Sequence, residues 1–311
     1  MQSLMGRDLL TLGELTPEEL TAVLDRADAQ KRARANARRS PQMTGRSAAL
    51  IFMKPSMRTR VSFELACVDL GLHPVVLGPG DAFSRNETIH DTVKVLERYV
   101  DVIVIRTFAQ ADVEEIALHA SVPVVNALTD DYHPCQVLAD LLTIRERRGA
   151  LAGLRLAYVG DGNNMANTLM LGGALAGMDV VVASPAGFEP KERFVHDAVA
   201  LAERYGTGAS IRVIRSPEEA VRGADVVVTD TWASMGQEAE HDARVAAFRG
   251  YTVTPELMAL AKPDAIFMHC LPAHRGEEVL DEVIDGPQSV VFDEAENRLH
   301  AQRAWLSLVL S

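Results

Sequence analysis

Short apolar runs recur along the chain, separated by longer stretches with helical spacing of apolar and polar residues. Residues 48–53, 74–77, 102–105 and 122–126 read as buried strands, and 58–70, 88–99 and 111–119 as the helices between them. A second series of strand candidates follows at 154–159, 180–183, 211–214, 226–229, 265–268 and 290–292. Such βαβα alternation implies parallel sheets covered on both faces, an α/β class with two doubly wound halves. An opening helix is announced by Thr16-Pro17-Glu18-Glu19, with a capping residue, proline at the first helical position and a glutamate completing a capping box. Its Ala- and Arg-rich body extends to about Arg39. The helix at 134–147 joins the halves, and a last helix at about 293–310 is long enough to return to the first. The expected domains are 1–148, 149–292 and the C-terminal helix 293–311. Ligands of doubly wound sheets bind beyond the carboxyl ends of the strands, so the loops after strands carry the chemistry.

With 311 residues the chain has room for two cores, and 48% hydrophobic with 24% charged residues is ordinary globular composition. Its apolar runs fall short of the roughly 18–20 residues of a membrane span, and the start Met1-Gln2-Ser3-Leu4-Met5-Gly6-Arg7-Asp8 lacks the layout of a secretory signal. A net charge of -12 argues against nucleic acid as a partner. Cys67, Cys135 and Cys270 are odd in number and scattered, which fits a reduced cytoplasmic setting, and none of their spacings suits a zinc ribbon.

Seven post-strand or helix-opening segments hold candidate chemistry. Lys54-Pro55-Ser56-Met57-Arg58-Thr59-Arg60 combines a helix start, two hydroxyls and two guanidinium groups, the parts of an anion cradle; the plainer alternative is a capped helix with solvated arginines. Arg106 follows a strand. In His133-Pro134-Cys135-Gln136 the histidine can donate to a carbonyl oxygen or simply cap a turn. Gly160-Asp161-Gly162-Asn163-Asn164 resembles a dinucleotide loop but lacks the third glycine in register, and its asparagines suit an amino acid better. Asp230-Thr231-Trp232-Ala233-Ser234-Met235-Gly236 offers a carboxylate for an ammonium group, and a hydroxyl and backbone for a carboxylate. His269-Cys270-Leu271-Pro272-Ala273-His274 leaves open a thiol nucleophile or a small buried cysteine. Glu294-Ala295-Glu296-Asn297-Arg298 places an arginine on the last helix.

Taken in this order, the segments resemble the ornithine carbamoyltransferase family along almost the whole chain. Its S-x-R-T-R, H-P-C-Q, D-G-N-N, D-x-W-x-S-M-G and H-C-L-P-A motifs and the ending F-D-E-A-E-N-R-L-H-A-Q are all present. The first two forms are shared with aspartate carbamoyltransferases; S-M-G and H-C-L-P mark the ornithine branch. The resemblance implies transfer of a carbamoyl group from carbamoyl phosphate to the side-chain amine of L-ornithine. It implies that Ser56, Met57 through its backbone, Arg58 and Thr59 hold the phosphate, with Arg106, His133, Gln136 and Arg298 completing that site. Asn164, Asp230, Ser234 and Met235 stand at ornithine-binding positions, and Cys270 and Leu271 close the site around the reacting amine. Arg58, Arg106, His133 and Cys270 are the expected catalytic residues. No metal or organic cofactor is implied, and the family is typically a homotrimer or an assembly of trimers.

The sequence departs from the family at Met57, where threonine is commoner, at Met53, where glutamate is commoner, and over one longer segment. Where Q-L-G-R is usual, with a glutamine reaching the neighbouring subunit's substrate, this chain reads Ala82-Phe83-Ser84-Arg85. The expectation is partial compensation by Arg85, with Ala82→Gln tightening carbamoyl phosphate binding modestly and Arg85→Ala weakening it strongly. Carbamoyl phosphate is expected to bind first, with the halves closing on ornithine. Competing readings are a carbamoyltransferase for another amine such as putrescine, a nicotinamide-binding dehydrogenase, and a binding or regulatory protein that kept the fold without turnover.

Overall fold

Parallel pairing sorts the strands into two sheets, each the centre of one compact unit. The computed structural model describes residues 4–36, 42–83, 87–233 and 241–311. Ser84, Arg85, Ser234 and Met235 therefore lie outside the described residues.

The first unit comprises Met1–Leu142 and Glu296–Ser311. Its elements are α1 (Pro17–Ala35), β1 (Ser47–Phe52), α2 (Met57–Leu70), β2 (His73–Leu77), α3 (Ile89–Leu96), β3 (Val102–Arg106), α4 (Gln110–His119) and β4 (Val124–Leu128), followed by the start of α5 (Pro134–Arg148). The sheet order is β2-β1-β3-β4, all parallel. The two central strands, β1 and β3, are almost wholly buried, as their Val, Ile and Leu content demands. Edge strand β2 is only partly buried. Ala49, Ile51, Ile103 and Ile105 form a core with Val93 of α3 and with Val113 and Ile116 of α4. Ala82 also lies in this core, at 3% exposure.

The second unit, Thr143–Ala295, holds β5 (Arg155–Val159), α6 (Asn164–Ala176), β6 (Asp179–Ala183), α7 (Glu192–Tyr205), β7 (Ser210–Ile214), α8 (Pro217–Val221), β8 (Val226–Thr229), α9 (His241–Ala247), α10 (Pro255–Met258), β9 (Ile266–His269), α11 (Asp281–Ile284) and the first turn of α12 (Val291–Val309). Its sheet order is β7-β6-β5-β8-β9, again all parallel. Trp232 anchors the loop after β8 in the core, stacked on Phe248 at 5.2 Å, with Phe188 and Tyr251 edge-on to the same ring of Phe248.

The capping box forms as its residues predict: Thr16 Oγ1 accepts from Glu19 N–H at 3.2 Å, and Glu19 accepts from Thr16 N–H at 2.9 Å. The described helix ends at Ala35, with Asn36 as its C-cap, and the expected continuation over 37–39 lies outside the described residues. The expected strand at 290–292 is not one. Phe267 and Ser289 form a single bridge, Val290 N–H donates to Phe267 O at 3.0 Å, and the chain turns into α12 at Val291. Two β-branched valines and a phenylalanine carry strand propensity, but one bridge beside β9 exhausts the pairing and the helix begins. The C-terminal part of α12 packs within the first unit, where Gln30 Nε2 donates to Ser307 Oγ at 3.0 Å and Lys31 Nζ to Asn297 Oδ1 at 2.8 Å.

Candidate active site

In each sheet the strand order reverses once about a central pair, between β1 and β3 in the first unit and between β5 and β8 in the second. The chain leaves such a pair toward opposite faces and opens a crevice at the carboxyl ends of the strands. Among the described candidates, Ser56, Arg106, His133, Asp230 and Cys270 stand at or just after the carboxyl ends of strands.

In the first unit, β1 runs out at Phe52 and α2 begins at Met57. Ser56 caps the helix, its Oγ accepting from Thr59 N–H at 3.3 Å and donating to Thr59 Oγ1 at 3.0 Å. Arg298, buried at 3% exposure, donates to Thr59 Oγ1 at 3.1 Å and to Gln136 Oε1 at 2.6 Å; Gln136 Nε2 in turn donates to Asp140 at 2.8 Å. The phosphate-side residues Ser56, Thr59, Gln136 and Arg298 are thus one hydrogen-bonded set. The Met57 side chain is exposed, which leaves only its backbone as a contributor. Lys54 is engaged elsewhere, paired with Asp130 and lying 4.2 Å from the Phe108 ring centroid.

His133 is buried, and its pKa is held well below the ordinary imidazole value. Desolvation is the main cause, followed by the positive charges of Arg298, Arg106 and Arg58. It is therefore neutral at pH 7, a possible N–H donor within the field of three guanidinium groups. Neighbouring Cys135 is a buried thiol pushed up to about 12 by desolvation, and it donates to Asn126 O at 3.4 Å. It is too weak an acid to serve as a nucleophile.

The second unit has the opposite polarity. Cys270 Sγ donates to Asp230 Oδ1 at 3.1 Å, and Asn163 Nδ2 donates to Asp230 Oδ2 at 2.8 Å. The Asn163 oxygen accepts from Met165 N–H, Ala166 N–H and the Tyr158 hydroxyl at 2.9, 3.3 and 3.2 Å, which turns its amide NH₂ toward the carboxylate. Desolvation foremost, then the charges of Asp230, Asp161, Cys270 and Glu278, drive the buried Tyr158 hydroxyl well above its usual pKa. Acidic groups thus converge in this unit, whereas the first unit gathers cations. Asp161 itself is raised to about 6, chiefly by burial, although Arg244 pairs with it at 3.0 Å.

The loop carrying Cys270 is braced from below. His269 Nδ1 accepts from Leu271 N–H at 2.9 Å, so Nε2 bears the proton and donates to buried Glu278 Oε1 at 3.1 Å. Glu294 accepts from His269 N–H at 2.9 Å. Leu271 takes φ +57°, and the Leu271–Pro272 peptide is cis. Asp230, His269 and Cys270 also place metal-ligand atoms within 4.8 Å of one another, yet both His269 nitrogens already have partners.

Asn164 is the first residue of α6, beside the asparagine that bonds Asp230. Sequence reasoning missed Asn163 as the direct partner, and with it Tyr158, Asp140 and Glu278. The doubled asparagine was the only signal for Asn163, since helix-cap geometry decides which of the two faces the carboxylate. Of the glycines in Gly160-Asp161-Gly162, the first takes φ +151° and the second has a packing reason. A Cβ on Gly162 would lie 2.1 Å from Pro190 N, and Gly162 N–H donates to Phe188 O at 2.8 Å. That close approach is to the chain's own backbone, which removes the reason for a dinucleotide reading.

Comparison with known proteins also divides the chain in two. The family model for the aspartate/ornithine carbamoyltransferase carbamoyl-P binding domain matches residues 7–146, and that for the Asp/Orn binding domain matches residues 152–309. An ornithine carbamoyltransferase of Acidothermus cellulolyticus is 55% identical over 307 residues, covering 98% of this chain and 97% of the relative. The solved ornithine carbamoyltransferase of Pyrococcus furiosus superposes with a TM-score of 0.96 at 50% identity, covering 100% of this chain and 99% of that one. The anabolic ornithine carbamoyltransferase of Campylobacter jejuni gives 0.91 at 35% identity, with 97% and 98% covered.

Proposed function

Since the chain belongs to the aspartate/ornithine carbamoyltransferase family, we propose that it transfers the carbamoyl group of carbamoyl phosphate to the side-chain amine of L-ornithine, giving citrulline and phosphate for arginine biosynthesis. The observation that carries this reading is the opposed polarity of the two half-sites. Three guanidinium charges surround a neutral histidine in one unit, and acidic groups surround Tyr158 in the other. The first suits a dianion, the second an amino acid with two ammonium groups.

Carbamoyl phosphate has a poorly electrophilic carbon. Arg58, Arg106, Arg298 and the N–H groups opening α2, including that of Met57, offset the phosphate charge, with Ser56, Thr59 and Gln136 fixing its orientation. Neutral His133 donates to the carbonyl oxygen as charge grows there. The neutral ornithine amine attacks the carbonyl carbon, the bond from carbon to the bridging phosphate oxygen breaks, and the departing phosphate takes the amine proton. An alkyl amine of pKa ~10.4 is neutral in only about one molecule per thousand at pH 7, so orientation of that minor form matters. Asp230 meets the α-ammonium, Asn164 and the Ser234-Met235 segment read the rest of the amino acid, and Cys270 and Leu271 orient the amine. Cys270 forms no covalent bond, because direct attack needs no acyl-enzyme. No step calls for a metal or cofactor.

The enzyme is a cytoplasmic homotrimer or an assembly of trimers. Met57, Val61, Leu65 and Val68 are exposed along one face of α2, beside exposed Val75 of edge strand β2, an apolar surface that self-association would cover. None of the three cysteines is in a disulfide, as in a reducing compartment. Among the described residues no helix is long and apolar enough to cross a membrane.

The deciding experiment is a citrulline assay with carbamoyl phosphate and a panel of L-ornithine, acetylornithine and putrescine. Turnover with ornithine alone is expected; equal turnover of putrescine would refute the acceptor assignment.

A further inference from the structure

Among the described residues outside the two half-sites, one more cluster has metal-ligand chemistry. His241 opens α9, and His274 and Glu277 lie on the turn that follows Cys270 and Leu271. His241 Nε2 lies 3.1 Å from both carboxylate oxygens of Glu277, and His274 Nδ1 lies 3.7 Å from Glu277 Oε2. One ligand-type atom from each residue falls within 4.8 Å of the other two. We propose that His241, His274 and Glu277 form a binding site for a divalent transition-metal ion of the zinc class, held by two imidazole nitrogens and one carboxylate oxygen.

The donor set selects the ion. Two imidazoles favour zinc, cobalt or nickel over magnesium or calcium, which prefer all-oxygen sites. Three protein ligands leave a fourth position for water. The backbone under two of the ligands is fixed. Buried Glu278 accepts from His274 N–H at 2.6 Å, Glu277 N–H donates to His274 O at 3.0 Å, and Gly276, at φ +88°, donates to Val279 O at 2.9 Å. The third ligand has a partner for its far nitrogen: His241 Nδ1 lies 3.5 Å from Asp242 Oδ1. A carboxylate there holds the proton on Nδ1 and leaves the Nε2 lone pair for the metal. Arg275, which sits between two ligands in sequence, is drawn away by Asp281 at 2.6 Å and Asp285 at 2.5 and 2.9 Å, so it does not compete for Glu277. All three ligands are partly exposed, which lets an ion enter from solvent. The bound ion would tie the start of α9 to the turn after the Cys270 loop.

The test is a cobalt(II) titration of the chelator-treated full chain, followed by visible absorption and calorimetry. One cobalt per chain is expected, with d–d absorption and no sulfur-to-cobalt charge-transfer band. His241→Ala and Glu277→Gln should each weaken binding at least tenfold, and Cys270→Ser should leave it unchanged. The first variant sits at a partly exposed helix start and keeps the fold. Three results overturn the proposal. They are no saturable binding, equal affinity in His241→Ala, or loss of binding in Cys270→Ser, which would place the ion on the thiol.

Discussion

Burial and three guanidinium groups hold His133 neutral well below the ordinary imidazole range, and this fixes what it can do. In the proposed mechanism it donates a hydrogen bond without bringing a fourth positive charge to the phosphate side. The same shift has a sign in stability. Above the unfolded value near 6.5 neither state is protonated at this residue and it is silent. As pH falls below that value the unfolded chain gains a proton that the folded chain refuses, so stability drops by up to about 1.4 kcal/mol per pH unit. Asp161 acts oppositely: raised to about 6, it keeps its proton when folded, so its contribution grows as pH falls from 6 toward 3.8. Replacing His133 with Asn should therefore lessen the loss of Tm between pH 7 and pH 5.5, measured by calorimetry against wild type. A paired experiment separates the half-sites. Arg58→Ala should reduce kcat/KM roughly a hundredfold or more, since a preorganised donor to developing charge is lost, while the partly exposed position keeps the fold intact. Asp230→Asn should raise the ornithine KM by roughly ten- to a hundredfold and change carbamoyl phosphate affinity little. Near-normal citrulline formation by the first, or equal losses for both substrates in the second, counts against the assignment.

At the scale of elements, the segment after β2 shows how placement overrides a motif. By family pattern Ala82 stands where a glutamine reaches a neighbouring subunit, which led to the expectation that Ala82→Gln tightens carbamoyl phosphate binding. In the structure Ala82 packs against the core of its own unit. A glutamine there would bury an amide among Ile, Val and Ala side chains, at about 1–3 kcal/mol without new partners. Ala82→Gln should therefore lower Tm by several degrees in a thermal melt, with no gain in carbamoyl phosphate affinity. Whether Arg85 compensates is a question for Arg85→Ala kinetics, since that residue lies outside the described residues.

For the whole molecule, the separate states of the two units lead to an expected order of events. The phosphate side is already assembled through the bonds among Arg298, Thr59 and Gln136. On the acceptor side, both Asp230 oxygens are taken by Cys270 and Asn163, with which an incoming ammonium must compete. Carbamoyl phosphate should bind the free enzyme, and ornithine should bind tightly only afterwards; calorimetry showing tight ornithine binding to free enzyme would contradict this. The exposed apolar face of α2 makes a second expectation at this scale. Leu65→Glu combined with Val68→Glu should convert the proposed assembly to monomers in sedimentation equilibrium, and an unchanged mass would remove that face from the proposed interface.

The sequence by itself determined the parallel α/β halves, because buried strands need unbroken apolar runs and their crossovers need helical spacing. It also determined the capping box and the loops that carry the chemistry, because the motifs follow strands. Local propensity failed at 290–292, where one bridge beside β9 left no partner for a strand. Only tertiary structure decided that Asn163 meets Asp230, that Glu278 sets the tautomer of His269, and that Ala82 is core. Each of these depends on side chains brought together across many residues, and on how much water is left around them, neither of which is written in the spacing of a motif.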